Sequence, residues 1–194
     1  MVESRYHVEL GRDLMRHLLR LTDWSVADLR SLFAVAGRYQ SGDGERLEGA
    51  AVLFFPPSSL RTRVSFERGA SLMGTQPITF PPETLSKDED PVDVVGHLAC
   101  RARLVVARYP DIAVLDRMAS AGALPIINAM TDVNHPCEVL SDLYPLSQDT
   151  DPVHLRYVFV GADGNIGRAW REAAQAFGLD IVNSPSPGIA YSSL

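Results

Sequence analysis

Two cysteines, Cys100 and Cys137, are all this 194-residue chain has. They form no CxxC pair and are too few for a disulfide framework, so a reducing cytoplasm is the expected compartment. No apolar run approaches the length a bilayer crossing needs, so no membrane partner is expected. The first residues include Glu3, Arg5 and His7 and lack an apolar signal core, which argues against secretion. Positive charge is also in deficit. Lys and Arg number 18 against 24 Asp and Glu, a net charge of −6, the wrong sign for a general nucleic-acid binder. A small basic pocket for an anionic metabolite stays compatible with that balance, because a pocket's field is set locally. There is no internal repeat and no low-complexity tract.

What is present is ordinary for a globular protein, with 46% apolar and 22% charged residues. Strand and helix patterns alternate, which predicts an α/β fold with a parallel sheet flanked by helices. Ser25-Val26-Ala27-Asp28 has the form of a capping box and predicts a helix to about Tyr39, ended by Gly42-Asp43-Gly44. The wholly apolar run Ala50–Phe55 predicts a strand buried on both faces. Further strands are expected at Leu104–Ala107, Leu124–Asn128, Tyr157–Gly161 and Asp180–Val182. Helices are expected near Arg61–Met73, Val92–Ala102, Asp111–Ala121, Pro136–Tyr144 and Asn165–Phe177. The polar, proline-closed stretch Gln148–Pro152 is the expected domain junction. It separates a first domain, 1–150, from the incomplete start of a second α/β domain, 151–194.

The most informative segment is Phe55-Pro56-Pro57-Ser58-Ser59-Leu60-Arg61-Thr62-Arg63-Val64-Ser65-Phe66-Glu67. A buried strand ends, a turn follows, and hydroxyls and guanidiniums gather where a helix begins. Free backbone N–H groups and the positive end of the helix dipole attract an anion there. Ser59 and Thr62 add neutral hydrogen bonds, and Arg61 has the fork geometry to clamp two phosphate oxygens. The plain alternative is a capped helix whose arginines face solvent. A second cluster, Asn134-His135-Pro136-Cys137-Glu138, follows a buried strand, with Pro136 suited to open a helix. His135 then sits at the carboxyl edge of the sheet, as does Arg108 at the end of Leu104–Ala107. Alone, such a His-Pro pair is more simply a surface histidine beside a helix start.

Ser59-Leu60-Arg61-Thr62-Arg63 with Ser65-Phe66-Glu67 resembles the Ser-Thr-Arg-Thr-Arg…Ser-Phe-Glu signature of the aspartate and ornithine carbamoyltransferases. His135-Pro136-Cys137-Glu138 is similar to that family's His-Pro-(Thr or Cys)-Gln, and Arg108 precedes His135 by the family spacing. The resemblance implies that Ser59, Leu60, Arg61 and Thr62 hold the phosphate of carbamoyl phosphate. It implies that Arg108 and His135 are catalytic, binding the carbonyl oxygen on which charge builds when an amine attacks. It also implies no metal or organic cofactor, an amino-acid acceptor and a homotrimer.

Two positions depart from the signature. Leu60 replaces a Thr, a variation resembling the branch that acts on acylated ornithines. Glu138 replaces a Gln of the binding set, so an amide donor and acceptor becomes an acceptor only, with a charge that opposes phosphate. Lys87, in a charged stretch that would otherwise be a solvated loop, falls where aspartate enzymes carry a Lys reaching a neighbouring subunit's site. Arg168 falls where they place an acceptor-binding Arg. Gly11-Arg12-Asp13-Leu14 and Cys137 resemble ornithine enzymes instead.

The expected function is therefore carbamoyl transfer to an amino-acid amine, ornithine-like first and aspartate-like second. Because the chain lacks much of such an enzyme's second domain, an inactive anion-binding or interaction module is the alternative. A more distant one is a dinucleotide-binding fragment, suggested by Gly161, Gly164 and Gly167. Against it, Ala162-Asp163 stand where a second glycine is needed, and Asn183 stands where an acid would meet a ribose.

Overall fold

The computed structural model describes residues 15–86 and 89–185. Four strands, β1 (Ala50–Phe54), β2 (Gln76–Phe80), β3 (Ala102–Arg108) and β4 (Ile126–Met130), form a parallel sheet in the order β2-β1-β3-β4. The helices are α1 (Val26–Ser41), α2 (Leu60–Met73), α3 (Pro91–Leu98), α4 (Ile112–Ser120) and α5 (Pro136–Leu146). A second, two-stranded parallel sheet joins β5 (Arg156–Gly161) to β6 (Asp180–Pro185) through α6 (Asn165–Phe177). The α/β class and the parallel sheet flanked by helices are as expected.

Local chemistry accounts for most boundaries. Ser25 and Asp28 complete a reciprocal capping box on α1, and Gly42 closes it with φ 87°. β1 is buried at all five positions, which its unbroken apolar run requires when both neighbours and both faces are covered. Pro136 opens α5 at a position where its missing N–H costs nothing. Two expectations needed correction. The helix expected over Val92–Ala102 stops at Leu98, because the following residues turn back into β3, which starts at Ala102. β2 was not anticipated. It carries Pro77 and alternates exposed and half-buried residues, the pattern of an edge strand paired on one side only.

Among the described residues, three apolar clusters form the core. One lies between the sheet and α3 and α4 (Val95, Val105, Leu115, Met118 and Ile126), and another joins Leu53, Phe55, Ala70 and Val106 beneath α2. The third packs Leu29 and Phe33 of α1 and Val139 and Leu143 of α5 against Ala169, Ala173 and Phe177 of α6. So α6 shares a core with helices that precede the expected junction. The other side of the small sheet is bare, with Val158, Val160 and Val182 more than half exposed. Among the described residues, no helix is long and apolar enough to cross a membrane.

Candidate active site

Every strand of the main sheet points its carboxyl end to the same edge, and the site residues leave the chain there. Ser59 ends the turn after β1 and precedes the first residue of α2. It is buried, yet its hydroxyl does not cap the helix. Instead it accepts a hydrogen bond from Arg108 Nη1 at 3.1 Å. The simple helix-cap reading of Ser59 therefore does not hold. Arg108 is the last residue of β3. The ladder to β4 shifts register between Ala107 and Arg108, whose partners are Asn128 and Met130. Such an irregularity turns the side chain at the strand's end away from its regular direction.

His135 caps the other side. It immediately precedes α5 and is 5% exposed. Its Nε2 lies 3.3 Å from Glu138 Oε2, one turn on, while its buried Nδ1 has no hydrogen-bond partner. Burial pushes the His135 pKa down; Glu138 pulls it up and the Arg108 charge pushes it down further. The buried Nδ1 is left without a partner, and such a polar atom is costly unless a ligand supplies one.

Arg61, Thr62, His135 and Glu138 all line one cavity of about 720 Å³ between α2, α5 and the sheet. Arg61 is exposed at its rim and Thr62 half-buried. Arg108 lines a different cavity, of about 390 Å³, with Tyr109 and Met130. Arg61, Thr62, His135 and Glu138 thus share one cavity, whereas Ser59 and Arg108 do not line it; Arg108 is tied to its surroundings by the bond to Ser59 at the start of α2 and by its charge near His135. Leu60 is exposed, its side chain contributing little beyond a helix-start backbone. Lys87 lies outside the described residues, as do Gly11, Arg12, Asp13 and Leu14.

The rest of the signature is structural. Phe66 packs on Phe55 with ring centroids 5.8 Å apart. Glu67 accepts from Arg63 Nε at 2.8 Å and from the Thr79 hydroxyl at 2.7 Å, tying α2 to β2. Those two bonds, Thr79 first, hold its carboxyl below the usual range.

Arg168 was expected to meet an acceptor. Here its Nε and Nη2 donate to the Val133 and Asp132 carbonyls at 2.9 and 2.6 Å. Residue reading also missed a polar cluster beside His135. Asn128 and Asn134, both fully buried, bond each other at 2.7 Å and both donate to the Leu19 carbonyl. Glu172 of α6 accepts from Asn134 Nδ2 at 3.0 Å. The only local signal was Asn134 itself, next to His135.

The family model for the aspartate/ornithine carbamoyltransferase carbamoyl-P binding domain matches residues 16–148. The chain belongs to the aspartate/ornithine carbamoyltransferase family. Curated carbamoyltransferases it resembles include the ornithine carbamoyltransferases of Halorhodospira halophila, 32% identical over 90% of this chain, and Geobacter sulfurreducens, 30% identical over 87%. The chain spans 61% and 58% of the length of those two proteins. Among solved carbamoyltransferase structures, the Pyrococcus furiosus ornithine enzyme superposes with a TM-score of 0.77 at 26% identity, covering 88% of this chain and 57% of that one. The Burkholderia thailandensis enzyme gives 0.78 at 24% identity, covering 91% and 64%, and so speaks for the fold. Gly167, in the first turn of α6, serves close packing. A Cβ on Gly167 would stand 3.1 Å from the Phe159 ring and 3.3 Å from the Ala162 carbonyl.

Proposed function

We propose that this chain binds carbamoyl phosphate at the carboxyl edge of the main sheet and serves carbamoyl transfer to an amino-acid amine, with ornithine or a close relative as acceptor. The observation that carries it is the Arg108–Ser59 bond at the start of α2, beside a buried His135 whose Nδ1 is unpartnered. Phosphate sits over the first turn of α2, held by its free N–H groups, Ser59, Thr62 and the Arg61 guanidinium. The carbonyl oxygen lies between Arg108 and His135, where fixed donors stabilise charge as the amine attacks and phosphate leaves. Orientation and electrostatics carry the rate, with no covalent intermediate. The ornithine preference rests on the names of the two curated relatives described above. A cytoplasmic homotrimer, with Lys87 reaching a neighbour's site, belongs to the same proposal. The exposed apolar residues Leu60 and Val64, adjacent on α2, support a protein-covered face there. Arg168, engaged with loop carbonyls, is left out of the proposed acceptor contacts.

One observation favours the binding-module alternative. Glu138 pairs with His135 instead of offering an amide, and its charge opposes a phosphate dianion. Titration calorimetry with phosphonoacetamide, a stable mimic of carbamoyl phosphate, tests the site. Arg61→Ala is expected to cost about 1.5–3 kcal/mol, the worth of a charge-assisted bond; an unchanged affinity ends the assignment. Glu138→Gln is expected to tighten binding. A ureido assay with ornithine, acylornithines and aspartate then separates enzyme from module, since silence with all three supports the module.

A further inference from the structure

The turn that delivers His135, residues 131–134, is gripped along its whole length by one edge of α6. Asn165 Nδ2 donates to the Thr131 carbonyl at 2.9 Å. Arg168 takes the next two carbonyls, Asp132 at 2.6 Å and Val133 at 2.9 Å. Glu172 takes the side-chain amide of Asn134, with 3.0 Å to each carboxylate oxygen, and accepts the Leu21 N–H as well. Residues 165, 168 and 172 lie three and four apart, so they share one helix face. That face contacts four consecutive loop residues in order, and the residue that follows them is His135. On the adjoining face Ala169, Ala173 and Phe177 are locked in the core with α1 and α5. The helix therefore cannot slide or rotate without dragging the loop.

We infer that Asn165, Arg168 and Glu172 are positioning residues for the carbamoyl site, fixing His135 through the 131–134 turn. The segment after the expected domain junction then helps build the carbonyl-binding half of the site. The inference rests on the carbamoyl-phosphate reading for its chemistry, but the clamp has a readout of its own. The rotamer and depth of His135 follow from the backbone that carries it, and a small displacement of a positioned donor is enough to weaken its bond.

The test uses the full chain. Hydrogen–deuterium exchange without ligand compares wild type with Arg168→Ala and Glu172→Ala. The amides of residues 131–135 are expected to exchange about tenfold faster, because opening of the loop becomes easier, while β1 and α2 exchange as before. Calorimetry with phosphonoacetamide and with inorganic phosphate follows. Both variants are expected to lose about tenfold in affinity for phosphonoacetamide, whose carbonyl needs His135, and to keep phosphate affinity. Glu172→Gln keeps one acceptor oxygen for Asn134 and the Leu21 N–H but turns its NH2 towards the Asn134 donor, and is expected to fall between wild type and Glu172→Ala. Arg168→Lys is expected to fall between, since an ammonium cannot span two carbonyls as the guanidinium fork does. The Gln and Lys variants are shape-conserving and keep the test decisive if an Ala variant does not fold. Unchanged exchange in 131–135 overturns the clamp, and equal losses for both ligands overturn the positioning role. If wild type binds neither ligand, the carbamoyl-phosphate reading falls and the clamp is decided by the exchange rates alone.

Discussion

Burial opposes protonation of two histidines, and one of them has a task that needs it neutral. His17 Nδ1 accepts the Ile126 N–H at 3.2 Å, and burial depresses its pKa. His135 is depressed chiefly by burial as well. A histidine held below its ordinary value of about 6.5 binds fewer protons folded than unfolded. Stability is therefore intact above that value and falls as pH drops through and below it. Melting temperature is expected to be lower near about pH 5.5 than near about pH 7.5. In His17→Asn, whose Oδ1 keeps the acceptor without titrating, the difference should shrink. The two thiols differ in a testable way too. Burial pushes Cys137 up to about 12, so it stays protonated at neutral pH, whereas Cys100 is exposed. Iodoacetamide mapping by mass spectrometry should find the label on Cys100 and spare Cys137. At this scale the sequence was legible where chemistry is local. Strand ends and the helix-opening Pro136 put Arg108 and His135 at the sheet's carboxyl edge, but their roles came from the resemblance to the carbamoyltransferase motifs, since a His-Pro pair alone reads as a surface histidine. Glu172 could not be named, because its partner Asn134 lies 38 residues away and only packing joins them.

Elements were legible according to how completely they are buried. The five-residue run of β1 could be read directly, because burial on both faces demands an apolar side chain at every position. α1 announced both ends, by its capping box and by Gly42. β2 gave no such signal, since its outer edge is open, Pro77 interrupts it, and Ile78 and Phe80 face solvent. What holds it is a long-range contact, Thr79 to Glu67 of α2, that residue periodicity does not report. α6 fits closely at its first turn. Gly167→Ala would press a methyl group against the Phe159 ring and the fixed Ala162 carbonyl. A loss of about 1–3 kcal/mol is expected, read from urea unfolding.

At the scale of the molecule, the polar stretch Gln148–Pro152 looks like a junction, yet the third core cluster runs across it. Phe177 is 4% exposed among residues of α1 and α5. Phe177→Ala is therefore expected to cost about 3–5 kcal/mol. Near- and far-ultraviolet circular dichroism should follow a single transition for the whole chain, whereas two separated transitions would show that the parts fold independently. Shortening the protein to residues 1–150 should leave Leu29, Phe33, Val139 and Leu143 without their cover and raise binding of an apolar dye. The ribbon of β5 and β6 has a different consequence, for handling. A row of three valines facing water beside open strand edges invites self-association as concentration rises. Threonine at 158, 160 and 182 keeps β-branching and near-equal volume while wetting that surface. In light scattering at rising concentration, the triple variant is expected to stay smaller than the parent, and equal sizes would show that this small ribbon is not sticky.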